Sequence, residues 1–161
     1  MRTLLAAVAA IGLLTTGAHA GFDDPKALVQ SLFEPYQRGE QPGRLDTYYA
    51  DGLKRLFVQY NEQPTSIMGT RKVAATVTED FDPFVDARHY LLFDLNIADP
   101  VVNGDRAMVA VSYKNFDHPT ELAVSLRKQA DGWKIDDVAS LGADDHWLLS
   151  WVLMYDPTGV H

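Results

Sequence analysis

The chain contains no cysteine. That excludes a disulfide framework, thiolate catalysis and every cysteine-ligated metal centre, so stability has to come from packing. Positive charge is also scarce. Against 22 aspartates and glutamates stand 14 lysines and arginines, a net charge of −8, and no basic run occurs. A surface of that sign is repelled by nucleic-acid phosphates and by anionic membranes, so neither is an expected partner. There is no internal repeat, low-complexity tract or linker between domains. A nucleophile elbow, a P-loop, a dinucleotide fingerprint and an EF-hand loop are all missing.

What is present begins with "MRTLLAAVAAIGLLTTGAHA". Arg2 precedes an apolar run from Leu4, and Ala18-His19-Ala20 supplies the small-x-small step that signal peptidase reads. The run is too short and too rich in alanine for a stable membrane span. No cysteine follows it, which closes the lipoprotein route. Residues 1–20 are therefore expected to be a signal peptide, with Ala18 and Ala20 marking the cleavage site. The product would be a periplasmic single domain of residues 21–161 with a net charge of −9, without Arg2 and without a membrane span. A chain of that length can bury one respectable core.

The first part of that domain has helical periodicity. Asp24 is a good N-cap and Pro25 suits the first helical position. Leu28, Val29, Leu32, Phe33 and Tyr36 share one face, and Pro35 is expected to end or kink the helix. A second helical stretch carries Leu45, Tyr49, Leu53, Leu56, Phe57 and Tyr60, with a break expected at Asp51-Gly52. "NEQPTSIMGT" reads as a loop, and "RKVAATVTED" inclines towards helix. From Tyr90 the period becomes two. Leu91, Phe93, Leu95 and Ile97 alternate with polar or small residues. Asn103-Gly104 signals a hairpin, Ala107 to Tyr113 form the return strand, and Leu122, Val124 and Leu126 a third. Asp131-Gly132 turns the chain into "WKIDDVAS". The sequence thus predicts a four-strand antiparallel meander after amino-terminal helices, an α+β fold. An apolar helix over "WLLSWVLMY", capped by Asp144 or Asp145 and stopped at Asp156-Pro157, is expected at the end.

Two amino-terminal helices, a meander and the closing "DGWKIDDVAS" resemble the nuclear transport factor 2-like, or cystatin-like, superfamily. That resemblance implies amino-terminal helices packed on a curved, cone-shaped antiparallel sheet. More narrowly, "TYYADGLKRLF", the Asp-Pro-Phe of "FDPFVDA" and "WKIDDVAS" are similar to domain of unknown function 3828. The family comprises small secreted or lipid-anchored bacterial envelope proteins, and it offers no catalytic residues to transfer.

Chemistry could sit in "FDPFVDARHY". If Asp82 caps a short helix from Pro83, Asp86 and His89 lie three residues apart on one side of it. A carboxylate beside an imidazole is the raw material of a general base, or two ligands of a metal. Zinc sites want three or four ligands, and no third stands at a recognisable spacing, so no metal and no cofactor are expected. The simpler reading makes Asp82, Pro83 and Phe84 a structural corner, with Phe81 and Phe84 plugging the sheet and Asp86 pairing with Arg88 or solvent. Asp94 is the third catalytic candidate. It alternates out of phase with Leu91, Phe93, Leu95 and Ile97, and so is expected on the solvated face. Asp136 and Asp137 read as partly solvent-facing turn formers.

The last helix is apolar all round. Trp147, Trp151 and Tyr155 fall on one side, Leu149, Leu153 and Met154 on the other. Such a helix must bury both sides. These six residues are accordingly the candidates for binding a partner, either an envelope protein or a second copy, with Trp151 as anchor. The expected function is non-enzymatic binding of an envelope protein or a small apolar ligand. Two alternatives stand beside it. One is a small cone-pocket enzyme of the isomerase, dehydratase or hydrolase type with an Asp or His base; the other is an inhibitor or immunity protein against a secreted toxin.

Overall fold

The computed structural model describes residues 21–62, 82–85, 89–142 and 146–155. The signal-peptide reading with Ala18 and Ala20, the "RKVAATVTED" segment, Phe81, Asp86, Arg88, the proposed caps Asp144 and Asp145, and the Asp156-Pro157 stop lie outside these residues.

Helix α1 spans Pro25–Gln37. The Asp24 side chain accepts the Lys26 N–H, which satisfies one of the amides that a helix start leaves unpaired. Pro35 neither stops nor shortens the helix at its own position, because only two helical residues follow it and a single amide bond is forgone. Leu28, Val29, Leu32, Phe33 and Tyr36 form the buried stripe. The second apolar stretch divides in two, a short 3-10 turn at Leu45–Thr47 and helix α2 at Asp51–Glu62. Residues Tyr48–Ala50 between them are used otherwise. Their backbone pairs with Ile135, through the Ile135 N–H to the Tyr48 carbonyl at 2.8 Å and the Ala50 N–H to the Ile135 carbonyl at 2.7 Å.

Five strands make one antiparallel sheet: β1 Leu92–Ile97, β2 Val101–Asn103, β3 Arg106–Asn115, β4 His118–Gln129 and β5 Gly132–Ser140. The order is β1-β3-β4-β5. Strands β1 and β2 share the same neighbour, pairing with opposite ends of β3 across the Ala98–Pro100 step. The sequence counts four strands because that step leaves only three residues for β2. With three α-helices among the described residues, the fold is α+β. The inward residues of β3, β4 and β5 meet the apolar stripe of α1 and the Leu53 and Tyr60 side of α2 in one core.

Tight turns join the last four strands. Gly104 takes φ +61° in the β2–β3 turn. Gly132 takes +113°, and a Cβ there would stand 2.7 Å from the Phe22 carbonyl oxygen. Only glycine fits that approach.

Two irregularities decide where the aspartates of the sheet point. The β1/β3 register slips between Phe93 and Asn96, where Asp94 adopts φ +53°. A bulge of this kind inverts the phase of the strand. Leu92, Leu95 and Ile97 consequently turn towards the core, whereas Leu91 and Phe93, expected inside from strict alternation, are exposed. The β4/β5 register slips between Ser125 and Leu126, which pair with Asp137 and Ile135. Asp136 is the extra residue.

The outer edge of β5 is covered along its length. Phe22 bridges Trp133, Tyr49 bridges Ile135 and Leu148 bridges Ala139. Covering an edge in this way prevents it from templating aggregation.

Helix α3 spans Leu149–Tyr155 and starts two residues later than the periodicity predicts. Trp147 and Leu148 are spent on the β5 edge instead, with the Ser140 N–H donating to the Trp147 carbonyl at 3.0 Å.

Candidate functional site

Asp82 is the buried acid of the described structure, only 6% exposed. It opens a tight turn in which the Val85 N–H reaches its carbonyl at 3.2 Å. Proline at the next position sets the backbone angle that such a turn needs. One carboxylate oxygen accepts the Phe84 N–H at 2.9 Å, the other the Tyr36 hydroxyl at 2.7 Å. Burial raises the Asp82 carboxyl above its ordinary range, and the two hydrogen bonds pull it part of the way back. Tyr36 is driven well above the usual phenol range by its own burial and then by the Asp82 charge. Burial and Asp82 raise Tyr49 in the same way. The turn is held from the sheet side as well. The Tyr113 hydroxyl donates to the Phe84 carbonyl at 3.1 Å, and the Asn115 amide donates to the Val85 carbonyl at 3.4 Å.

Around this turn the interior is filled with rings. Phe84 meets Phe33 edge-on at 6.4 Å and stacks on Tyr49 at 6.3 Å, while Tyr49 stacks on Phe57 at 5.1 Å. The Tyr49 hydroxyl is buried with no hydrogen-bond partner among the described residues, a cost tolerated for the stacking of its ring. Pro83, Phe84 and Val85 are fully enclosed. Both Asp82 oxygens are engaged in holding the turn, and the group is buried.

The other acid and base candidates stand apart from it. His89 is exposed, and its carbonyl accepts from the Asn115 amide at 3.5 Å. Asp94 is exposed at the β1 bulge and pairs with Lys114 at 2.7 Å. Exposed pairs of this kind are worth about 0–1 kcal/mol. Among the described residues no three histidines or acids are grouped to hold a metal ion.

The second bulge gives an aspartate a role that its sequence position conceals. Asp137 accepts the Val138 N–H at 2.8 Å and the Ser150 N–H at 3.0 Å from the same oxygen. The second of these satisfies an amide at the start of α3, so the half-buried Asp137 caps that helix from the neighbouring strand, a role beyond the partly solvent-facing turn former expected from the sequence. Asp137→Ala is expected to cost about 1 kcal/mol, in the usual range for a lost cap, and Asp137→Asn to cost less because an acceptor remains. Urea unfolding of both variants measures this.

The cap fixes how α3 lies. Leu149 and Leu153 insert into the core, and Trp147 packs partly against it. The opposite face is open: Trp151 is 63% exposed, Tyr155 71% and Met154 41%. The rings of Trp151 and Tyr155 meet at 6.0 Å, nearly perpendicular. The six partner candidates therefore divide. Leu149 and Leu153 are core residues, and only Trp151, Met154 and Tyr155 present apolar surface. The helical arc from Leu149 to Leu153 is what the core takes; Met154 falls on the outward side of it. Other exposed apolar side chains stand on the sheet: Val101 pairs with Met108 across β2 and β3, and Phe93 is on β1.

No protein-family model matches the chain, and no curated protein matches it. Two solved structures are similar to it. A chain of the type VI native effector-immunity complex Tae3-Tai3 from Ralstonia pickettii shares 17% identity at a TM-score of 0.46, over 77% of this chain and all of that one. The phospholipid-binding protein from Ralstonia solanacearum, in complex with a phospholipid, shares 16% identity at a TM-score of 0.34, over 88% of this chain and 64% of its own. Likeness at that level assigns no function. Among the described residues no helix is long and apolar enough to cross a membrane.

Proposed function

We propose that the protein is a non-enzymatic binding domain that acts in the periplasm after removal of residues 1–20, and that it docks another protein through the outward face of α3. The observation that carries this reading is the pair of exposed rings, Trp151 and Tyr155, in contact with one another beside Met154 on a helix whose other side is anchored in the core. Aromatic residues and methionine are the types that interfaces favour, and rings held on a rigid element lose little entropy on docking. The interior supports surface docking over a cone-shaped ligand site, because the space between sheet and helices is occupied by Phe33, Tyr36, Tyr49, Phe84 and Tyr113. The order of helices, meander and closing "DGWKIDDVAS" strand supports a curved, nuclear transport factor 2-like architecture. An inhibitor or immunity protein is a special case of this reading, with a toxin as the partner.

The test places a photo-crosslinking residue at position 151 and, in a second protein, at position 108 on the sheet. Cross-linking in the producing cell is expected to yield one dominant adduct from 151 and not from 108. Trp151→Ser together with Tyr155→Ser is expected to change stability by less than about 1 kcal/mol, since exposed side chains contribute little to folding. Adducts from 108 alone, or none from 151, would overturn the assignment of this face. Amino-terminal sequencing of the exported protein should begin at Gly21.

A further inference from the structure

We infer that Gly21 and Phe22 form a strap across the β4–β5 turn, and that this strap opens and closes as a unit of its own while the rest of the sheet stays paired. The first observation is how closely the backbones meet. Gly21 lies against the turn, where a Cβ on residue 21 would fall on the Asp131 carbonyl oxygen. Gly132 faces it with φ +113°, and a Cβ there would stand 2.8 Å from the Gly21 carbonyl carbon and from the Phe22 nitrogen. Two glycines thus meet backbone against backbone. A methyl group on either one would push the two segments apart, so this approach is open to glycine alone.

The second observation is how the segment is held. Phe22 pairs with Trp133, whose N–H donates to the Phe22 carbonyl at 2.8 Å. The partly buried Phe22 ring stacks on Tyr48, with centroids 6.0 Å apart and planes at 21°. Tyr48 is fixed from the other side, its hydroxyl 3.2 Å from that of Ser31 on α1, so this platform keeps its place without the strap. Asp23 and Asp24, both exposed, then join the strap to α1. Further along β5 the covering segments are anchored differently, because Tyr48–Ala50 leads into α2 and Leu148 into α3. A short pairing at the end of a solvated connection opens at far lower cost than the core. Closed, the strap covers the Trp133 end of a sheet edge that would otherwise offer an unpaired amide. Gly21 is also the first residue that the processing proposed above leaves. The cut therefore falls just outside the strap, and a cut two residues further on would remove it.

The experiment follows amide hydrogen exchange by nuclear magnetic resonance in the exported protein and in three variants. These are Gly21→Ala, Phe22→Ser and, as the control, Gly43→Ala, where an added Cβ meets nothing within 4 Å. In the parent the Trp133 amide is expected to exchange faster than those of Ile135 and Ser140, which donate to Tyr48 and Trp147 on the same edge. Gly21→Ala and Phe22→Ser are each expected to speed exchange at Trp133 by on the order of tenfold or more and to leave Ser140 unchanged. Gly43→Ala should change neither amide. A parent in which Trp133 exchanges as slowly as Ser140 would overturn the separate opening. Ser140 rising together with Trp133 in the variants would do the same, because the strap would then be inseparable from the sheet. Exchange at Trp133 untouched by both substitutions would overturn the strap itself. Mass spectrometry of each protein identifies its first residue. A chain that begins upstream of Gly21 counts against the processing reading and leaves the strap standing, whereas one that begins beyond Phe22 overturns both.

Discussion

Replacing Phe84 by alanine is expected to remove about 3–5 kcal/mol of stability, the range for deleting a buried ring from a packed core. Phe84 has no exposed surface, and it lies between rings on two sides, with Phe33 edge-on and Tyr49 stacked. It also sits in a turn fixed at both ends, by Asp82 on its N–H and by Tyr113 on its carbonyl. A turn held in this way cannot collapse into the void, so the cavity persists and the loss falls in the upper part of the range. The control is Phe93→Ala. The same atoms are removed there from an exposed position at the β1 bulge, and the change should stay within about 0.5 kcal/mol. Urea unfolding of the two variants at equal m-value gives the comparison. Similar costs at both positions would mean that Phe84 is not the plug of this core.

The contrast between these two phenylalanines also shows how far the sequence can be read. Periodicity located α1 and its buried stripe and the inward residues of β3 and β4, because in each case the pattern runs unbroken over many residues, and the Asn103-Gly104 turn signal located the hairpin. It failed on β1. The bulge at Asp94 puts the residues before it out of phase with those after it, so Leu91 and Phe93 face outward while Leu95 and Ile97 face the core as expected, and the pattern of "LLFDLNIAD" does not mark where the phase breaks. The same limit hid the role of Asp137, which depends on the extra residue in β5 and on a helix start thirteen positions later. Helix α3 was legible as apolar on all sides, but not in its division. Which side enters the core follows from the pairing of Leu148 with Ala139, a tertiary contact that consumes what would otherwise be the first helical residues. The polar corner at Asp82 was visible as a cluster of residue types. Its partner, the Tyr36 hydroxyl, is 46 residues away in sequence, at the end of a helix read as purely apolar on that face.

That partnership sets the last expectation. Asp82→Ala leaves two buried donors, the Phe84 N–H and the Tyr36 hydroxyl, without their acceptor. At about 1–3 kcal/mol for each orphaned group, the variant should lose roughly 2–6 kcal/mol. Asp82→Asn separates hydrogen bonding from charge, since its carbonyl oxygen still accepts one donor and the tyrosine hydroxyl can accept from its amide. The difference between parent and Asp82→Asn should depend on pH, with a sign fixed by the direction of the shift. Burial raises the folded-state carboxyl above its unfolded value. The folded chain then holds the proton more tightly than the unfolded one. The stability contributed by this group is fully present below the unfolded carboxyl value, about 3.9, and is lost as pH rises through the folded value. Relative to Asp82→Asn, the parent should be most favoured in acid and lose ground towards neutrality. Asp46, Asp99 and Asp131, whose carboxyls are lowered by Arg44, Lys26 and Lys134, give slopes of the opposite sign. They are common to both proteins and cancel in the difference. Urea unfolding of parent and variant across the acidic range reads that difference directly. A difference that grows in favour of the parent as pH rises would mean that the hydrogen bonds from Tyr36 and Phe84 outweigh the burial of the charge, and that Asp82 is held as a carboxylate in the folded protein.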